Sequence, residues 1–192
     1  MKKKDQQDRG NARALCQIAV ATALICVCSW IALPFGSIPF TLQTFAVCLF
    51  SALLGAKKAF VAILAYLLLG FVGVPVFTGF TGGISKLFSP TGGYLIGFLL
   101  AAPLIGLFAQ KSRKVKGRYG LTALGMALGT LICYACGTAW LMLLSIGNTP
   151  LSLGAALSVC LLPYLPSDAL KIALALIFVK RLEKIVINNG ER

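Results

Sequence analysis

FTGFTGGISKLFSPTGGYL, residues 77–95, breaks an otherwise oily chain with glycines, a proline and a scatter of Thr and Ser. Its reading decides whether the chain is one unit or two. A flexible linker would be polar throughout, but this stretch and the residue before it carry Val76, Phe77, Phe80, Ile84, Leu87 and Phe88. Long apolar runs flank it on both sides, so it reads as a loop joining two of them, from Gly73 to Gly93. Loops of that length inside a compact domain are usually functional. TGG occurs twice, at 81–83 and 91–93. Gly82 and Gly83 let backbone amides come close to a ligand, and Thr81 and Thr91 add hydroxyl donors and acceptors. No G-x-x-x-x-G-K-[ST] phosphate loop is present. Tight helix packing accounts for Gly93 and Gly97, but not for the whole stretch, which reads as a lid or pocket wall.

The 192 residues are 58% hydrophobic and 12% charged, with mean hydropathy +0.89. Soluble domains are about 25% charged, so this is an all-α integral membrane protein. Apolar runs fall at 15–33, 41–54, 59–76, 94–109, 121–146 and 151–179. The first exceeds the 7–15-residue core of a secretory signal and reads as a retained anchor. Pro163 and Pro166 break the last, giving a short outer segment and then a final helix that starts near Pro166, with Ser167 as its cap. The expectation is six transmembrane helices in one domain over 1–192, made of a polar tail (1–12), a six-helix bundle (13–183) and a second tail (184–192).

Charge tests this count. Of the 18 basic residues, all but Lys86 and Lys171 fall in the amino-terminal tail, the turns around 57–58 and 111–118, and the carboxyl end. Six crossings put every one of those clusters on one side, whereas five or seven would split them. The positive-inside rule then places both termini in the cytoplasm, the Gly-rich loop outside, and the chain in the cell membrane as a multi-pass protein. The net charge of +13 is thereby a consequence of topology and of attraction to anionic lipid headgroups. It implies no nucleic-acid partner. The seven cysteines lie in apolar segments and read as small reduced hydrophobes. Cys133-x-x-Cys136 lacks the second pair or histidine of a zinc site.

Between Asp8 and Glu183 the chain has one acid, Asp168, and Lys171 follows three residues later on the same helical face. Asp168 lies twelve residues before Lys180, about 18 Å at 1.5 Å per residue. An intramembrane Asp or Lys costs about 2.5–3.5 kcal/mol on insertion scales and faces a cavity or a partner. Two readings stand open: a self-neutralising pair that orients the last helix, or a site completed by a polar ligand. Gln43, just inside the second span, reaches either a ligand or a neighbouring helix. Phe77 and other loop aromatics offer apolar cover. Without histidine there is no Ser–His or Cys–His activation, and one buried acid makes no carboxylate pair. Ser167 beside Lys171 is a thin basis for a dyad, so an enzyme is not expected. In the first helix Ala19 and Ala23 repeat at the four-residue spacing of Ala12 and Cys16, a register that admits another helix closely. Internal packing and docking explain it equally.

Four blocks, IPFTLQT (38–44), GVPVFTGFTGG (73–83), PTGGYLIGF (90–98) and LPYLPSDALK (162–171), occur in order along nearly the whole chain. Together they resemble the BioY family, the biotin-binding S components of energy-coupling-factor (ECF) transporters. The resemblance implies a six-helix membrane subunit that captures biotin from outside with high affinity. Its partners would be a transmembrane coupling protein and two ATPase subunits, with movement by toppling in the bilayer. It implies no cofactor, ATP being used by the partner subunits. Family binding positions carry over to Thr81, Tyr94, Asp168 and Lys171, and the family's docking surface to Ala19 and Ala23. Some relatives place Asn at the Thr81 position and Arg after the PTGGY tyrosine. Here Leu95 stands in the latter position, and Lys86 is the cation left to replace it. The alternatives are an S component for another vitamin and, further off, a membrane enzyme or channel.

Overall fold

The structure is a computed structural model and describes residues 2–33, 39–115, 119–145 and 152–188. Lys116, Arg118 and Arg192 of the basic clusters, and 34–38 of the first outer loop, lie outside the described residues. Among the described residues seven α-helices follow in order: α1 (Lys2–Trp30), α2 (Gln43–Leu54), α3 (Ala56–Phe71), α4 (Gly92–Lys114), α5 (Tyr119–Ser145), α6 (Leu153–Cys160) and α7 (Leu165–Asn188). Two short strands, β1 (Ala32–Leu33) and β2 (Phe40–Thr41), pair antiparallel between α1 and α2.

The polar residues at the amino terminus are not a separate tail but the first turns of α1. Lys, Gln, Arg and Ala sustain a helix well, and KKKDQQDRGNAR contains no proline to outweigh them, only Gly10 at a cost of about 1 kcal/mol. At the other end α7 continues to Asn188 rather than ending at 183, with neither Gly nor Pro between 183 and 188 to break it. Three helices, Gln6–Trp30, Gly92–Lys114 and Tyr119–Ser145, are long and apolar enough to cross a membrane. By contrast α2 has 12 residues, about 18 Å of helix against a hydrocarbon core of about 30 Å. It stops because Gly55 turns the chain at φ +78°, a conformation that L side chains rarely adopt, and α3 begins at the next residue.

Pro163 and Pro166 separate α6 from α7 as their chemistry requires. Leu165 opens α7 with Pro166 beside it in the first turn. Ser167 does not cap: its hydroxyl donates to the Tyr164 carbonyl at 2.9 Å. The residue that caps is Ser152, whose Oγ accepts from the Ala155 N–H ahead of α6.

Side-chain bonds define the two ends of the bundle. At one end Lys58 donates to Gln17 at 2.9 Å, tying α3 to α1. There too Arg113 of α4 pairs with Glu183 of α7 at 2.7 Å and donates to the free carbonyls of Ala52 and Leu53 where α2 ends. The basic turns thus share an end. At the other end Trp30 donates to the Pro75 carbonyl at 2.9 Å, and the Tyr94 hydroxyl donates to the Cys160 carbonyl at 3.1 Å. Between them α4 and α5 lie close along their length. A Cβ on Gly97 would stand 2.7 Å from the Cys133 Cα, so only glycine lets the two backbones approach so nearly. Ile63, Tyr66, Ile105 and Met126 fill the interior, while Leu68, Leu107, Leu131, Leu143 and Ile177 face outward. Such an apolar outside suits lipid.

The 20 residues from 72 to 91 are more ordered than a plain loop. Phe77 and Thr81 exchange backbone hydrogen bonds as a small antiparallel bridge, and Ile84–Phe88 form a 3-10 turn.

Candidate ligand-binding site

A cavity of about 240 Å³ opens at the loop end of the bundle, enclosed by α2, α3, α4, α5, α7 and the 72–91 segment. It has two polar poles with apolar walls between them.

The first pole is built on α7. Asp168 and Lys171 are 5% and 6% exposed and lie 2.8 Å apart, Nζ to Oδ1. The Tyr134 hydroxyl of α5 donates to the other carboxylate oxygen at 2.6 Å. Lys171 Nζ also sits 4.3 Å from the centre of the Phe40 ring, which stacks on Tyr164 at 6.0 Å. Asp168 is in the first turn of α7, where the positive end of the helix dipole favours a carboxylate. Taking two ions out of water costs several kcal/mol each unless their remaining valences are met. A charge-assisted bond, a tyrosine hydroxyl, a ring face and a helix terminus meet them here. Each group keeps capacity to spare: the carboxylate has about four acceptor sites and the ammonium three donors.

The second pole belongs to the loop. Thr78, Thr81, Ser89 and Thr91 line the cavity beside Lys86. Thr81 donates to the Thr78 carbonyl at 2.9 Å, Ser89 donates to the Lys86 carbonyl at 2.7 Å, and Ser89 and Thr91 share a bond at 2.8 Å. Their oxygens retain lone pairs. Of the Asp, Glu, Lys and Arg side chains among the cavity residues, Asp168 and Lys171 cancel and Lys86 adds one positive charge.

Tyr94, Leu95, Phe98 and Phe77 provide the apolar walls. Phe77 is fixed by edge contacts to Tyr66 and Phe71, 5.5 and 5.7 Å between centroids. Gln43 does both things its sequence position allows: its amide donates to the Tyr66 hydroxyl at 3.1 Å, and it lines the cavity.

Eight of the sequence-derived candidates therefore meet at one cavity: Gln43, Phe77, Thr81, Lys86, Thr91, Tyr94, Asp168 and Lys171. Gly82 and Gly83 stand behind its wall. A Cβ on Gly82 would strike the Gly73 and Val74 carbonyls, and the Gly83 N–H donates to the Gly70 carbonyl at 2.7 Å. They shape the loop rather than face the space. Ala19 and Ala23 lie on the exposed side of α1, away from the cavity. Sequence reading passed over Tyr134, Tyr66 and Phe40. A signal existed: tyrosine in an apolar run needs a partner for its hydroxyl when buried.

The protein-family model described as "BioY family" matches residues 1–188. The chain is 39% identical over 177 residues to the biotin transporter BioY of Thermotoga maritima, covering 92% of this chain and 99% of that one. It is 43% identical over 144 residues to biotin transporter BioY2 of Lactococcus lactis subsp. cremoris, covering 71% and 79%. Among solved structures, a crystal structure of the S-component for biotin from an ECF-type ABC transporter superposes with a TM-score of 0.83 at 29% identity, over 92% of this chain and 93% of that one. With a family model and relatives matching over nearly its whole length, the chain belongs to the BioY family.

Proposed function

We propose that this protein is the biotin-binding S component of an ECF-type vitamin transporter. The observation that carries the reading is the two-pole cavity. Biotin's ureido ring is neutral and offers two N–H donors and one carbonyl acceptor. Asp168 accepts from an N–H, and Lys171 donates to the carbonyl. The apolar thioether ring rests against Phe77, Tyr94 and Phe98. The carboxylate at the far end of the valeryl chain meets Lys86 and the Thr81 and Thr91 hydroxyls, the cation supplied by the loop because Leu95 supplies none. Mostly apolar walls with a few placed polar groups are the usual make-up of such sites.

In this reading α1, α2, α3, α4, α5 and α7 each cross the cell membrane, with both termini cytoplasmic and the 72–91 loop outside. The short α2 is completed by the β2 segment ahead of it, and the basic end of the bundle sets the orientation. The exposed Ala19 and Ala23 face of α1 receives a transmembrane coupling protein, and two ATPase subunits provide the energy. Biotin binding by the purified protein in detergent tests the function directly: saturable one-to-one binding is expected, and competition by other vitamins at equal concentration is not. Stronger binding of a different vitamin would move the protein to another substrate within the same architecture.

A further inference from the structure

We propose that Trp30 and Phe80 form a clasp that holds the 77–81 hairpin over the cavity and sets how long the ligand stays; the ligand's identity rests on the function proposed above. The hairpin is closed by two backbone bonds, Phe77 N–H to Thr81 O at 2.9 Å and Thr81 N–H to Phe77 O at 3.3 Å. Its inner side presents Phe77, Thr78 and Thr81 to the cavity. Its tip is Gly79 at φ +74° and Phe80 at φ +55°, the one non-glycine residue with positive φ among the described residues. A bulky aromatic in that region is disfavoured, and glycine would sit there without strain. Such an outlier persists where its surroundings hold it.

The surroundings here are the last turn of α1. Phe80 is 66% exposed, yet its ring stacks on Trp30 with centroids 5.0 Å apart and planes at 23°. Trp30 is itself pinned by its Nε1–H bond to the Pro75 carbonyl, and the buried Ser29 hydroxyl meets the Val76 carbonyl on the same approach to the hairpin. The base of the loop is tied separately, by the Gly83 N–H on Gly70. The clasp therefore acts on the tip, and through it on the cavity's loop wall. Trp30 and Phe80 touch no part of the cavity, so they are positioning residues.

Two measurements on the purified full chain in detergent test this. In ligand-free protein, hydrogen exchange at the amides of 77–81 is expected to quicken roughly three- to tenfold in Trp30→Ala and Phe80→Ala, the scale of one lost aromatic pair. Release of bound biotin quickens by a similar factor, with the association rate held within about twofold, as most mutational effects fall on dissociation. The double variant releases no faster than Trp30→Ala, because that single already lacks both the stack and the bond to the Pro75 carbonyl. Phe88→Ala, an equally exposed loop aromatic without a stacking partner among the described residues, leaves both rates unchanged. Phe80→Gly relieves the strain, so it melts no lower than Phe80→Ala yet still releases fast, which a purely structural role would not produce. Unchanged exchange in the Trp30 and Phe80 variants overturns the clasp, as does faster exchange with unaltered biotin release. Faster exchange in a protein that never binds biotin supports the clasp and refutes the ligand assignment instead.

Discussion

The sharpest perturbation is at Asp168, because it separates the two roles open to a buried ion pair. Asp168→Asn keeps the shape but removes the charge that Lys171 faces at 2.8 Å, leaving an ammonium 6% exposed with the Phe40 ring as its other neighbour. Removing one member of a buried pair costs about 3–5 kcal/mol, so a marked fall in the melting temperature of the purified protein is expected. Affinity falls as well, but the single variant cannot apportion that loss between instability and a missing contact. Lys171→Met added to Asp168→Asn removes the stranded charge, and replacing both ions by uncharged groups is often neutral or stabilising. The double variant should therefore melt near the parent. If the pair grips the ligand, biotin affinity stays low all the same. Hydrogen bonds to a charged group contribute about 1.5–3 kcal/mol, or roughly 10- to 150-fold in Kd. Titration calorimetry reads that range easily. A double variant with restored melting and a Kd within threefold of the parent would refute the reasoning, and would leave Asp168–Lys171 as a device that orients α7 against Tyr134.

Lys86→Met should weaken biotin by about two- to fivefold, the upper range for a partly exposed ion pair, while leaving the methyl ester of biotin unaffected; equal loss for acid and ester in calorimetry would remove Lys86 from the carboxylate. Ala19→Trp and Ala23→Trp lie on the outer side of α1, so they should spare biotin binding in detergent yet abolish uptake by cells that supply the coupling and ATPase subunits; normal uptake would place docking elsewhere. Gly97→Leu must push α4 from α5, since a Cβ alone already meets the Cys133 Cα at 2.7 Å; overpacking of this kind costs about 1–3 kcal/mol, visible as a lowered melting temperature.

The sequence carried the site's charges plainly because charge is rare in this chain. One acid between Asp8 and Glu183, one lysine a helical turn away and one lysine in the loop are conspicuous against 58% hydrophobic residues, and all three reach the cavity. Charge asymmetry likewise marked the basic turns, whose shared end is set by Lys58 on Gln17 and Arg113 on Glu183. Hydropathy was a poorer guide to helix ends. It placed the first helix at residue 15, but propensity extends α1 back to Lys2; it began the third span at 59, but Gly55 lets α3 start at Ala56. Tyr134 stayed hidden because a tyrosine amid Cys, Ala and Leu reads as packing, and only the meeting of α5 with α7 brings its hydroxyl to Asp168. The loop glycines misled in a different way. Gly82 and Gly83 lie in a segment that lines the cavity, yet they serve its internal turns, whereas the neighbouring Thr81 faces the cavity itself. Glycine content reveals where backbone must bend, not which side of the bend a ligand occupies.

The order of the charges along the cavity also constrains what it can hold. The Asp168 carboxylate has both oxygens engaged by protein donors, and Lys171 is shared between that carboxylate and a ring. A charged ligand group entering this pole would have to compete with one member for the other, and would leave an ion unpaired in a buried place. A neutral group with donors and an acceptor side by side adds bonds to both without separating them. A net negative charge in a ligand would instead meet Lys86 at the loop, which is only partly buried and lines the cavity with Thr78, Thr81, Ser89 and Thr91. Placing the compensated pair deep and the single charge near the mouth minimises desolvation at each position. The same arrangement favours a ligand that is neutral at its head and anionic at its tail over one with those properties reversed.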